Sequence, residues 1–213
     1  MRSHARSAPL AAIVVSFAAL ASPLDGNVDA DAPDEGRPRT VAFVDAPTYT
    51  QALAAWHSAE DVNAWIGAKF EYDSARAMRL SETQRQASGR LPIHSPAEFF
   101  AAPRGVCVDL SRFGVETLAK IAPGSHPRYV MIEFDPVTIR GNALRRHWVA
   151  SFERDGKLYF FADSKRPGHI AGPYDSTQAF IDDYARYRGR TVVAFPERST
   201  YERATRAAAS KGN

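Results

Sequence analysis

The spacing of apolar residues changes near the middle of the chain. In the first half they recur at helical intervals. Val62, Trp65, Ile66 and Phe70 follow Ser58-Ala59-Glu60-Asp61, a stretch that resembles a capping box, and together they predict a helix with one apolar face. A second start is written in Ser95-Pro96-Ala97-Glu98, with Ser at the N-cap, Pro at the first helical position and Glu at the third; this helix runs through about Ala102, and Pro103 and Gly105 end it. From Cys107 to Ile121 the residues Leu110, Phe113, Leu118 and Ile121 mark a further helix, closed by Pro123-Gly124. The second half reads differently. Tyr129 to Phe134 is an apolar, β-branched run, and Arg146–Glu153 and Lys157–Ala162 flank Asp155-Gly156, a hairpin signal. Ser176 to Arg188 reads as a helix with Phe180, Ile181 and Tyr184 on one side, and Thr191 to Phe195 as a last strand. Helices followed by antiparallel strands predict an α+β domain, with N-terminal helices packed on an antiparallel β-sheet.

The ends of the chain carry a different pattern. Arg2 and Arg6 precede an apolar run from Ala8 to Ala21, and Ala19-Leu20-Ala21 supplies the small residues of a cleavage site. Residues 1–21 therefore read as a signal peptide, which predicts a periplasmic or secreted protein with no stable membrane insertion after cleavage. The apolar run is shorter than the ~20 residues of a membrane-spanning helix. Residues 22–40, rich in Pro, Gly and Asp, read as a disordered linker, 41–201 as the folded domain, and 202–213 as a flexible basic tail.

Charge adds little to this picture. The balance of 27 basic and 24 acidic residues, a formal net charge of +3, does not point to nucleic acid. Arg145-Arg146 and Arg186 to Arg190 read as solvated faces. The acids of the linker lack the fixed spacing of a calcium loop, and no His-x-x-x-His or paired-Cys spacing marks a metal site, so no metal and no cofactor is expected.

Cysteine usage changes the picture more. The chain has a single cysteine, Cys107, so no intramolecular disulfide can form. It is either a small buried hydrophobe or a reactive group. Its place at a helix start favours the second, because unpaired backbone N–H groups and the positive end of the helix dipole stabilise a thiolate. A nucleophile needs a base, and the base an orienting group. His57, His94 and His126 have no orienting acid at a suggestive spacing, and His169, in a glycine-rich loop, is a weak candidate for the base. His147 lies in a strand whose hairpin partner ends in Asp163. A two-residue Asp155-Gly156 turn would pair residues summing to 311 and put Asp163 on the face opposite His147. A three-residue Arg154-Asp155-Gly156 loop, with Gly156 left-handed in a G1 bulge, would set the two directly opposite each other. The chemistry predicts the second register.

These residues also carry a resemblance. Gly105-Val106-Cys107-Val108-Asp109-Leu110-Ser111 resembles the Gly-x-Cys-x-Asp-x-(small) motif of the transglutaminase-like superfamily, His147-Trp148-Val149 its second motif and Phe161-Ala162-Asp163 its third. Their separations, 40 residues from 107 to 147 and 16 from 147 to 163, are similar to that family's. The resemblance implies a papain-like core in which Cys107 is nucleophile, His147 base and Asp163 orienting acid. It further implies a structural role for Gly105 and Asp109, and Trp65 or Tyr72 as a second oxyanion donor; for Trp65, on an apolar helical stripe, core packing is the simpler reading. Asp163 is followed by Ser164-Lys165 where the family usually has Thr or Pro, which bears on substrate class.

The resulting expectation is an exported cysteine peptidase or amidase that hydrolyses a peptide or carboxamide bond through a thioester. Transamidation of a protein substrate is the alternative within the class. The alternative outside it is a non-catalytic module that binds a peptide or cell-wall component on the same fold. Substrate identity and oligomeric state are not written in the sequence.

Overall fold

The computed structural model describes residues 39–161 and 165–201. The expected signal peptide, the linker up to residue 38, Asp163 and the basic tail lie outside the described residues.

Local sequence accounts for where the N-terminal helices begin. Helix α1, Tyr49–Ala55, starts at Thr48, whose hydroxyl accepts the Gln51 N–H. Helix α2, Ala59–Lys69, has a complete capping box between Ser58 and Asp61. Strand β1, Glu71–Tyr72, leads into α3, Ser74–Leu80, and α4, Glu82–Ser88. Helix α5, Pro96–Ala101, opens on the Ser95–Glu98 box with Pro96 at its first position. Strand β2, Arg104–Gly105, pairs in parallel with β1 and delivers the chain to α6, Cys107–Ile121. The expected helices are present. The short α1, α3 and α4 were not foreseen: α3 buries only Ala77 and α4 nothing, so neither carries an apolar stripe.

The second half forms the antiparallel sheet. Its strands are β3 (Arg128–Ile139), β4 (Asn142–Arg154), β5 (Lys157–Phe161), β6 (Ile170–Tyr174), β7 (Val192–Ala194) and β8 (Glu197–Arg198). The order across the sheet is β6-β5-β4-β3-β7, and β8 also pairs with β3. Helix α7, Thr177–Arg188, follows β6. The architecture is α+β.

The sheet has two covered faces. On one, Tyr129, Ala150, Phe152 and Phe161 meet the N-terminal helices, with Phe113 and Leu118 of α6 and with Trp56, Trp65 and Phe99. Trp65 stacks on Phe100 at 4.8 Å between centroids. Gly114 lets α6 lie close to the sheet, since a Cβ there would stand 2.2 Å from the Phe161 ring. On the other face Val130, Ile132, Val149 and Phe160 meet Phe180, Ile181 and Tyr184 of α7. Alternation along β4 therefore sends Trp148, Ala150 and Phe152 toward α6, and His147 and Val149 toward α7.

The hairpin between β4 and β5 corrects the expected register. Arg154 pairs with Lys157, Phe152 with Tyr159 and Ala150 with Phe161, so paired residues sum to 311 throughout and no bulge interrupts the ladder. Asp155 (φ 51°) and Gly156 (φ 70°) form the whole connection. Both angles are positive, as a type I′ turn requires, and Asp-Gly adopts them readily. Gly156 is left-handed as expected, but in a two-residue turn. The three-residue loop that would have faced His147 with Asp163 is not formed.

Candidate functional site

Cys107 is the first residue of α6, and a buried carboxylate builds the corner that holds it there. Asp109 is fully buried. Arg76, from α3, donates to its Oδ2 through Nε at 2.7 Å and to its Oδ1 through Nη2 at 2.8 Å. The Val106 N–H donates to Oδ2 at 3.1 Å and the His94 N–H to Oδ1 at 3.0 Å. One side chain thus caps α6, anchors α3 and pins the segment before α5. Gly105 is required beside it, because a Cβ at that position would fall 2.9 Å from Asp109 Oδ2.

The β1–β2 pair sets Tyr72 next to this corner. Tyr72 is in register with Gly105, the Glu71 N–H donates to the Pro103 carbonyl at 2.9 Å, and the Asp73 N–H donates to the Gly105 carbonyl at 2.8 Å. In front of Cys107 lies a cleft of about 430 Å³ between the α3–α4 pair and the β3–β4 sheet. Tyr72, Cys107, Trp148 and Tyr201 line it. Cys107 is partly exposed.

His147 is not in this cleft. Its ring is 1% exposed and stacks on Tyr184 of α7, with centroids 5.5 Å apart and planes at 9°. It pairs across the strands with Ile132, whose side chain belongs to the same α7-side core. Cys107 and His147 therefore lie on opposite sides of the sheet. Its sequence neighbour Trp148 is the residue that faces Cys107's cleft. Asp163 falls outside the described residues. Of the two oxyanion candidates, Tyr72 is at the cleft, while Trp65 is buried in the core against Phe100 and Phe113.

Other residues at the site were not foreseen. Five arginines, Arg85, Arg90, Arg145, Arg146 and Arg198, line the cleft together with Glu82 and Glu133. Arg146 donates from Nε to Glu133 at 2.9 Å and approaches Glu82 at 3.6 Å; Arg145 approaches Glu82 at 3.4 Å. Arg145-Arg146, expected on a solvated face, is thus part of the cleft wall. His94 has no acid at a suggestive spacing in the sequence, yet the fold brings its Nδ1 to 3.9 Å from Asp109 Oδ1. That carboxylate already accepts four hydrogen bonds, so it serves as an anchor. Among the described residues the cleft wall contains no histidine, and no cluster of His, Cys, Asp and Glu could hold a metal ion. No described helix is long and apolar enough to cross a membrane.

Comparison of the chain with protein-family models and with curated proteins finds no match to either.

Proposed function

We propose that the domain is an exported binding module that receives a peptide-like ligand in the cleft in front of Cys107. Its frame is of the papain-like kind that the transglutaminase resemblance implies, with a cysteine-headed helix laid on an antiparallel sheet. One observation carries the preference for binding over catalysis: the thiol opens into the cleft, whereas His147, the residue read as its base, is buried on the far side of the sheet. The ligand would lie between Tyr72 and Trp148, where flat side chains supply apolar area with little conformational entropy to lose.

A second reading, thiol-dependent acyl transfer, is favoured by the place of Cys107 at the first turn of a fifteen-residue helix, where orphan N–H groups and the helix dipole assist a thiolate. In that chemistry the sulfur adds to a carbonyl and the C–N bond breaks. The amine leaves with a proton, and water, or an amine in the transamidase variant, cleaves the thioester. Intact-mass measurement on the mature protein incubated with a library of peptides and peptidyl esters separates the two. The binding module gives non-covalent retention of peptide that survives Cys107→Ser. A covalent acyl adduct in the wild type, lost with that variant, would establish acyl transfer instead. N-terminal sequencing of exported protein should begin at Ser22.

A further inference from the structure

The cleft's charges are not evenly matched. Among the described residues its walls carry five arginines and two glutamates. The two glutamates are taken up by the inner pair: Glu82 reaches from α4 to both Arg145 and Arg146 of β4, and Glu133 of β3 accepts from Arg146. Arg90 and Arg198 have no carboxylate partner among the described residues. They stand on opposite walls. Arg90 is exposed on the segment between α4 and α5, and Arg198 is half-buried on β8, paired in register with Tyr129 of β3. The sheet wall itself is apolar at Leu144, Met131 and Trp148.

Resting on the reading of the cleft as the ligand site, we infer that the ligand is an acidic peptide whose carboxylates engage Arg90 and Arg198 from the two walls. A guanidinium presents a planar fork that a carboxylate fills with two parallel hydrogen bonds. Two such forks on different elements, in a cleft whose sheet wall is apolar, suit acidic groups spaced along a backbone better than one compact anion, which would need them side by side. The inner ion pairs leave these two arginines as the groups whose charge a ligand would meet first, and they steer it toward the thiol.

Protection of Cys107 from iodoacetamide tests this, because the reagent is neutral and its approach does not depend on the arginines. The probes are hexaglutamate, hexaglutamine and a six-residue oligothymidylate, applied to the mature protein and to Arg90→Ala, Arg198→Ala and the double variant, each first shown to melt like the wild type. Hexaglutamate should slow alkylation of the wild type. Half-protection should require roughly two- to fivefold more peptide in each single variant and about tenfold more in the double variant. Raising the salt to 0.5 M should weaken protection similarly, as expected for partly exposed charges. Equal protection by hexaglutamine would overturn the inference and leave the cleft reading standing. Undiminished protection in the double variant would remove the assigned arginines. Stronger protection by the oligonucleotide would replace the peptide with nucleic acid. Absence of protection by every probe would overturn both the inference and the cleft reading.

Discussion

The two faces of the sheet are built from similar apolar material and put to different use. On the α7 face, Phe160 stacks on Phe180 at 3.9 Å and His147 on Tyr184 at 5.5 Å, and the aromatic rings close over one another. On the α6 face the core is as tightly packed around Trp56, Trp65 and Phe113, but it ends at the start of α6. There the polar corner around Asp109 holds Cys107 at the edge of an open cleft. The His147 ring is buried among aromatics, whereas Cys107 stands partly exposed at the start of a helix that borders the cleft. His147 and Trp148, adjacent in sequence and read together as one motif, are thus separated by the pleat: one belongs to each face.

The largest test of this contrast is Asp109→Ala. It leaves the guanidinium of Arg76, which is only 11% exposed, without its bidentate partner, and two backbone N–H groups without an acceptor. Breaking a buried pair in this way costs about 3–5 kcal/mol. Urea unfolding should show that loss, and the rate of Cys107 alkylation should change severalfold as the helix start loosens. A loss below about 1 kcal/mol would mean that the corner does not hold the cleft.

A smaller effect, but a sharper one, comes from substituting the two neighbours on β4. His147→Ala removes a buried ring and should cost about 2 kcal/mol through the cavity it leaves. If the faces are independent, Cys107 alkylation should stay within about twofold of the wild-type rate, since distant sites couple weakly. Trp148→Ala strips a wall of the cleft, and peptide protection of Cys107 should disappear. Should His147→Ala abolish covalent chemistry at Cys107 while stability is preserved, the two faces would not be separate and the triad reading would return.

What could be read from the sequence follows the range of the forces involved. Capping boxes at Ser58 and Ser95 are local, and both helices begin where those residues place them. The range of α6 is the one expected, because Pro103, Gly105 and Pro123-Gly124 punctuate it. The hairpin is legible as Asp155-Gly156, but a register that joins His147 with Asp163 needs a third loop residue, and the two-residue turn geometry that Asp-Gly favours prevails. Strand β3 runs through Pro136 to Ile139 by shifting its register to β4 between Glu133 and Val137; Pro136, with no N–H to give the ladder, sits in this bulge, whereas the apolar run stops at Phe134. The cleft was the least legible part. Its arginines come from three separate parts of the chain, Arg85 and Arg90, Arg145 and Arg146, and Arg198, and line one cleft only once α4, β4 and β8 are in place.

The smallest expected effect concerns acid. Two helix starts on the α6 side, those of α2 and α5, depend on carboxylates. Burial works against ionisation of Asp61, but the N–H groups of His57 and Ser58 and the Ser58 hydroxyl outweigh it and hold its pKa below the ordinary value. The Ser95 N–H, then the Ser95 hydroxyl, lower that of Glu98. A carboxyl whose pKa is depressed on folding stabilises the folded state above the unfolded pKa. That contribution fades as the pH falls from about 4 through the folded value. Helix α7 begins differently: the Ser176 hydroxyl accepts from the Ala179 N–H, and its first turn has no acid. Hydrogen exchange at pH 3, corrected for the intrinsic rate, should therefore accelerate roughly two- to fivefold at the Ser58 and Ser95 amides relative to pH 6, and not at the start of α7. Both amides are bonded directly to the carboxylates, at 3.1 and 2.8 Å, so they report the loss before any global unfolding. Equal acceleration at the start of α7 would show that acid loosens the whole domain, and the contrast between the two faces would then not extend to their helix caps.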